Sequence, residues 1–245
     1  MSYSLMRGRY LARLAGSAED LAAVQALRGL CFRGAGAVDA DAYDAICQHV
    51  MIEESGSGQL VCCLRLLQLA SGAQIGRSYS AQFYGLDPLR AYPAPMVEMG
   101  RFCIHPEHHD ADILRVAWGA VTHFVDEAQV GMLFGCSSFK GTDWRAHADS
   151  LVHLAQGYLA PARWLPQVKA GAVVPYARAL SGVAGDRKQA LLRMPALLRS
   201  YLAMGGWVSD HAVIDPDLGT LHVFTGLEIA AIPAARARAL RAVAG

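Results

Sequence analysis

Glu98 is the one carboxylate in the run Val97-Glu98-Met99-Gly100-Arg101-Phe102. A free glutamate titrates at about 4.3, so burial beside Val97, Met99 and Phe102 is the expected way to make it basic enough near neutrality. Glu98 is therefore the general-base candidate, acting directly or through a water. Two other readings stand beside it: positioning of a substrate, and an ion pair with Arg101 or Arg65 that only ties strands together. Asp41 and Asp44 are three apart, which puts both on one side of a short helix. There they can bind the ammonium groups of a dibasic molecule, or simply form a solvated face. Arg28, Arg65 and Arg101 carry planar forks suited to a carboxylate. Arg65 lies inside an apolar strand and must have a partner, because an unpaired buried charge is very costly. An internal salt-bridge network with the three acids is the competing reading, and both can hold. Phe32, on an apolar helical stripe, reads as core or as the wall of a binding site.

These residues need a scaffold. Tyr10–Leu14 reads as a strand. Ser17 reads as an N-cap, with Asp20 as a weak capping-box partner, for a helix ending near Phe32 that carries Leu21, Val24, Leu27, Leu30 and Cys31 on one face. Asp39 is expected to cap a second short helix through about Cys47. His49–Glu53 and Gln59–Leu69 flank a Gly/Ser turn as a hairpin. The stretch from about Ser71 to Pro95 reads as a long irregular loop, a length that often marks a functional surface. Met96–Ile104 is strand-like, with a bulge at Gly100 bringing Glu98 and Arg101 toward one face. Asp110 or Asp112 caps a helix to about Ala128, Met132–Phe139 is a strand, and Asp143 caps a helix to about Tyr158. Pro161–Gly185 is loop-rich with a short strand at Val173–Val174. Met194–Ala203 reads as a helix stopped by Gly205, Trp207–Ile214 and Leu221–Ile229 as a hairpin, and Pro233–Val243 as a basic terminal helix. On this pattern the class is α/β with a mixed sheet, in a single domain over residues 1–245 with its core at about 10–229.

Composition excludes several classes. Of 245 residues 53% are hydrophobic and 18% charged, which supports a large core and argues against disorder. A net charge of +1 does not announce a nucleic-acid partner. No apolar run approaches the roughly 20 residues of a membrane-crossing helix, and MSYSLMRGRY lacks a signal-peptide core, so a cytoplasmic location is expected. Cys31, Cys47, Cys62, Cys63, Cys103 and Cys136 form no C-x-x-C pair and read as buried free thiols. His108-His109 lacks a matching Cys/His cluster, so no metal is expected. His105, before a proline, is a weak base candidate that reads first as a strand end.

Four stretches carry a family likeness: Arg28-Gly-Leu-Cys-Phe32; Asp41-Ala-Tyr-Asp44 with Cys47-Gln-His49; Leu64-Arg65-Leu66; and Val97-Glu98-Met99-Gly100-Arg101-Phe102-Cys103-Ile104-His105-Pro106. Together they resemble the acyl-carrier-protein-dependent branch of the GCN5-related N-acetyltransferase (GNAT) superfamily. That branch holds the N-acyl-homoserine lactone synthases and the hemolysin-like, lyso-ornithine-lipid-forming N-acyltransferases. Leu133-Phe-Gly-Cys-Ser-Ser-Phe-Lys-Gly-Thr-Asp143, and Tyr201-Leu-Ala-Met-Gly205 with Asp215, look like the ornithine side. Residues 33–40 lack the tryptophan usual in lactone synthases. The stretch His108-His-Asp-Ala-Asp-Ile113 lacks the glycines with which coenzyme A enzymes hold a pyrophosphate, so a carrier-protein donor fits better.

The resemblance implies a GNAT-like mixed sheet flanked by helices, with extra C-terminal helices. It implies transfer of a 3-hydroxy fatty acyl group from acyl carrier protein to the α-amine of an amino acid, ornithine favoured, to give a lyso-aminolipid. The donor would be acyl-4'-phosphopantetheine on its carrier, with no tightly bound cofactor. A backbone amide within Phe102, Cys103 and Ile104 would polarise the thioester, and Ser138 would bond the leaving thiol or pantetheine unless it is an ordinary strand-end serine. Arg115, Lys140, Arg145 and Arg163 are candidates to meet the acidic carrier. Arg236, Arg238 and Arg241 could meet the carrier or the anionic inner face of a membrane, a solubilising surface being the default. The alternatives are a lactone synthase using S-adenosylmethionine, a coenzyme A-dependent small-molecule acetyltransferase, and a non-catalytic carrier- or membrane-binding protein.

Overall fold

The computed structural model describes residues 4–244. Met1–Tyr3, which begin the stretch judged for a signal peptide, and Gly245 lie outside the described residues. In chain order the strands are β1 (Ser4–Arg7), β2 (Tyr10–Leu14), β3 (Gln48–Glu54), β4 (Leu60–Leu69), β5 (Tyr84–Gly85), β6 (Met96–Ile104), β7 (Met132–Lys140), β8 (Gln167–Val168), β9 (Val173–Val174), β10 (Trp207–Asp215) and β11 (Thr220–Glu228). The helices are α1 (Ala18–Phe32), α2 (Ala111–Glu127), α3 (Ala148–Gly157), α4 (Tyr176–Ala179), α5 (Arg187–Arg193), α6 (Ala196–Ala203) and α7 (Ala234–Ala244). The fold is mixed α/β, as expected. The chain divides into two compact units: one holds the chain through Gln68, Met99–Val130 and the residues from Ala234 on, the other Leu69–Glu98 and Gly131–Pro233.

In the first unit β1, β2, β3 and β4 pair antiparallel in sequence order, with His49 opposite Arg65. The Ser17 hydroxyl caps α1 by accepting from the Asp20 amide, and Val24 and Leu27 pack on Met51, Cys63 and Cys103. Asp110 caps α2, which buries Ile113, Val116, Ala117, Ala120 and Val121. At Gly119 a side chain would collide with Leu5 and Val243, so the glycine admits β1 and α7 against α2. The expected cap at Asp39 is corrected. Asp41 does the capping, in a reciprocal box with Asp44 around one 3-10 turn, Ala42–Ala45. Asp39 is instead drawn into the interior by arginines. β1 has no counterpart in the sequence reading, being short and without a clear alternation.

In the second unit the first residues of β6 pair parallel with β7, Glu98 opposite Phe134. β7 pairs antiparallel with β11 along its whole length, and β11 pairs with β10, whose register shifts between Val208 and Ala212. One face carries a core of Phe139, Leu151, Leu154, Tyr176, Leu198, Val208, Leu221 and Val223. The irregular stretch after β4 holds three 3-10 turns, Gly72–Arg77, Ser80–Gln82 and Asp87–Ala91, together with β5. The single helix expected over Met194–Ala203 is corrected to α6 alone. Pro195 forces Met194 into extended backbone, so α5 ends before it and α6 begins after it. Asp143 caps a 3-10 turn, Trp144–His147, that leads into α3.

Candidate active site

Glu98 is 5% exposed and points at the chain between β4 and β6. Its Oε2 accepts from the Tyr79 amide at 2.7 Å, and its Oε1 accepts from the Ser80 amide at 2.7 Å and the Ser80 hydroxyl at 2.6 Å. The two amides open the Ser80–Gln82 turn, where N–H groups have no partner within the turn itself. A strand carboxylate thus fixes the start of a loop turn. The Ser80 hydroxyl also lies 3.4 Å from the Cys136 thiol on β7. Burial and the Glu98 charge together push the Tyr201 hydroxyl up.

Alternation along β7 puts Cys136 and Ser138 on one face, opposite Phe224 and His222 of β11. Ser138 is exposed and Cys136 half-buried. The Tyr84 hydroxyl lies 2.8 Å from the His222 carbonyl and 3.1 Å from His222 Nδ1. Donation to the carbonyl leaves Nδ1–H to donate back to the phenol oxygen. The Tyr84 ring packs beside both His211 and His222. His211 Nδ1 meets Asp210 at 2.7 Å. The Nε2 atoms of His211 and His222 are buried without a hydrogen-bond partner among the described residues. Burial lowers His222 to about 4, so it is neutral at physiological pH. Tyr79, Ser80, Tyr84, His211 and His222 are absent from the sequence-derived candidates; the only signal for the first three was the length of the loop that carries them.

The arginines and aspartates assemble in the first unit. Arg28 is 1% exposed; its Nε donates to Asp39 at 2.8 Å and its Nη1 to Asp44 at 2.7 Å, while Nη2 lies near Asp39 without hydrogen-bond alignment. Arg65 grips Asp41 through both terminal nitrogens, at 2.6 and 2.9 Å, and reaches Asp44 at 2.8 Å. Arg101 donates to Asp39 at 2.8 Å and to Asp41 at 3.3 Å, and Arg33 also donates to Asp39. Arg101 lies over the half-buried Phe32 ring, and Arg65 over Tyr43. Burial works to raise both Asp39 and Asp44, yet the arginines outweigh it; Asp39 ends below its ordinary value and Asp44 at about 2. The ion network gathers Arg28, Arg65, Arg101, Asp41 and Asp44, and its central acid is Asp39, which the sequence pattern suggests as a helix cap.

The left-handed backbone in β6 falls on Arg101, at φ +51°, not on Gly100. A bulky residue adopts this conformation only when its surroundings hold it there, and the bonds to Asp39 and Asp41 do so. At Gly100 an added Cβ would meet Arg65 Nε at 3.6 Å, an ordinary contact, so Arg65 does not require the glycine. Phe102 and Ile104 are half-buried. Cys103 is buried with its sulfur 3.5 Å from that of Cys63, and the Cys31 thiol donates to the Ile104 carbonyl. The expectation of buried thiols is met by Cys62, Cys63 and Cys103, whereas Cys31, Cys47 and Cys136 are half-buried. A separate cavity of about 530 Å³ in this unit is lined by Cys47, Gln48 and His49 of the family-like stretch, with His123 and Glu127 of α2 across from them.

An acetyltransferase (GNAT) domain model matches residues 29–119, which include the Arg28-adjacent helix end and all of β6. An L-ornithine N(alpha)-acyltransferase of Rhodobacter capsulatus is 33% identical over 230 residues, covering 87% of this chain and 88% of the relative. The chain belongs to this acyltransferase family. An L-ornithine N(alpha)-acyltransferase of Brucella abortus is 30% identical over 78% of this chain and 70% of its own length. Among solved structures, the N-acyl amino acid synthase FeeM from uncultured soil microbes matches with a TM-score of 0.54 at 9% identity, over 91% of this chain and 94% of FeeM. TofI in an apo form matches with a TM-score of 0.50 at 14% identity, over 97% and 99%. These two show the fold, which is the GNAT fold. As a member of the family the protein is an acyltransferase. No helix among the described residues is long and apolar enough to cross a membrane.

Proposed function

We propose that the protein transfers a 3-hydroxy fatty acyl group from acyl carrier protein to the α-amine of L-ornithine. The observation that carries this reading is the identity shared with the Rhodobacter capsulatus L-ornithine N(alpha)-acyltransferase along nearly the whole of both chains. In the reaction the neutral amine attacks the thioester carbonyl, a C–N bond forms, the C–S bond breaks, and the thiol leaves with its proton restored. The product is a lyso-aminolipid. The amine must lose one proton on the way, and that requires an acceptor.

Glu98 is that acceptor in this reading, with the Ser80 hydroxyl on Oε1 as the hydrogen-bonded path toward it. A backbone amide within Phe102, Cys103 and Ile104 polarises the carbonyl, and the exposed Ser138 hydroxyl meets the pantetheine arm. The arginine–aspartate network serves mainly to fix the β6 backbone at Arg101. Asp41, the least buried of its three acids, is the one available to a second ammonium group, while Arg101 beside Phe32 borders the acceptor's carboxylate. Asp44 and Arg28 are structural partners in this reading, and Arg65 supports Asp41.

The test is incubation with 3-hydroxyacyl carrier protein and, in parallel, ornithine, lysine, glutamine, glycine or S-adenosylmethionine. Mass spectrometry is expected to find the amide of ornithine's α-nitrogen. Release of a lactone from S-adenosylmethionine, or turnover with every amine but ornithine, overturns the reading. Use of acyl-coenzyme A in place of the carrier overturns the donor alone.

A further inference from the structure

We infer that α5 and its flanks form a docking surface for a bilayer with anionic head groups. α5 turns Ala190 and, just beyond it, Met194 into the core, and the Ser150 hydroxyl donates to the Ala190 carbonyl from α3. The opposite face carries Leu192, 73% exposed, and Leu191, 38% exposed. Leu192 is the most exposed of the large hydrophobic side chains described. Val183, before the helix, is also exposed, and a bond from Gln156 to its carbonyl holds it beside α3.

Cations frame the leucines. Arg187, Lys188, Arg193 and Arg199 are all exposed, and residues 187–199 contain no acid. Asp186, just before them, is spent as the N-cap of α5, accepting from the Lys188 and Gln189 amides. Arg193 is oriented by its bond to the Ala146 carbonyl. A single exposed leucine is ordinary on a protein surface. Adjacent exposed leucines on a short helix whose cations form no ion pair among the described residues are the composition of an interfacial anchor, in which apolar side chains enter the acyl boundary and cations meet lipid phosphates.

The basic terminal helix, nominated from sequence for the same role, is built differently. α7 exposes no large hydrophobic side chain, and Arg241 is held bidentate by Asp126. The membrane contact therefore moves from α7 to α5. The inference rests on the acyltransferase reading only for its purpose, since a product with a fatty tail must leave into a bilayer.

The experiment is sedimentation of the full chain with vesicles of phosphatidylcholine alone or mixed with phosphatidylglycerol. The unaltered protein is expected to pellet with the mixed vesicles, weakly with the neutral ones, and to be released by salt. Arg187→Glu with Lys188→Glu should weaken partition by about tenfold or more, from the loss of surface attraction per charge. Leu191→Ser with Leu192→Ser should weaken it with less salt dependence. Arg236→Glu with Arg238→Glu should change it little. Thermal melts check that the altered chains remain folded, which their exposed positions favour. No pelleting of the unaltered protein, or equal pelleting of the α5 variants, overturns the inference. So does a charge reversal that spares vesicle binding but raises KM for an acyl-carrier-protein donor, which would make α5 a carrier-docking helix. Turnover measured without vesicles reports on the acyltransferase reading separately.

Discussion

The arginine–aspartate cluster of the first unit and the Glu98 cluster of the second solve the problem of buried charge in opposite ways. In the first, Asp39, Asp41 and Asp44 are met by arginine side chains, several shared between two acids. In the second, one carboxylate is met by two amides and a hydroxyl, and elsewhere in that unit His211 and His222 each keep one ring nitrogen without a hydrogen-bond partner among the described residues. Side-chain ion networks hold geometry. A carboxylate with a hydroxyl partner, and the neutral imidazole of His222 with its open nitrogen, retain chemistry that a proton can change. The comparison teaches that the more heavily charged region is the frame and the sparser one the better place for proton transfer.

The sharpest way to break the comparison is Arg28→Ala. It leaves Asp39 and Asp44 short of a buried partner and should cost about 3–5 kcal/mol. Denaturant titration reads this, and a cost below about 1 kcal/mol would deny the frame its role. A buried histidine of the second unit should respond to pH instead. His222 is lowered to about 4, so the folded protein prefers its neutral form. Its stabilising effect is complete above the unfolded value near 6.5 and is lost as pH falls through 4, a change on the order of 3 kcal/mol. His153 of the second unit and His49 of the first, also lowered by burial, add to the same slope. Asp44 acts later, its contribution being lost as pH falls from its ordinary value through about 2. Melting temperatures across this range, with His222→Asn as comparison, should show a flatter profile for the variant.

Some of this was legible in the sequence for local reasons. Ser17 and Asp110 announced helix starts because a cap bonds amides two or three residues away, and β6 was legible from Met96 to Ile104 by its composition and the proline that follows. The arginine–aspartate network could be read as a possibility because Arg65 in an apolar strand demanded an acid. Asp39 was misplaced because helix-cap chemistry and long-range ion pairing use the same residue type. The Glu98 donors were not legible at all: two are backbone amides, which every sequence position offers. The strain at Arg101 was hidden behind Gly100, the residue that ordinarily takes left-handed backbone.

A smaller effect sharpens the second cluster. Ser80→Ala keeps both amide bonds to Glu98 and removes the hydroxyl. It should lower kcat by roughly tenfold, less than the roughly hundredfold or more carried by a group that takes the proton itself, with stability changed by about 1 kcal/mol. Steady-state kinetics beside a melt separates the two, and an unchanged kcat would remove Ser80 from the proton path. Smallest of all, Arg241→Ala breaks an exposed pair with Asp126 and should leave the denaturation midpoint nearly unchanged.

The most direct test of the central claim is turnover of 3-hydroxyacyl carrier protein with ornithine by Glu98→Gln, normalised to the fraction folded. A fall of about a hundredfold or more in acylated ornithine per folded molecule is expected. Turnover equal to that of the unaltered protein would contradict the assignment of Glu98 as the proton acceptor.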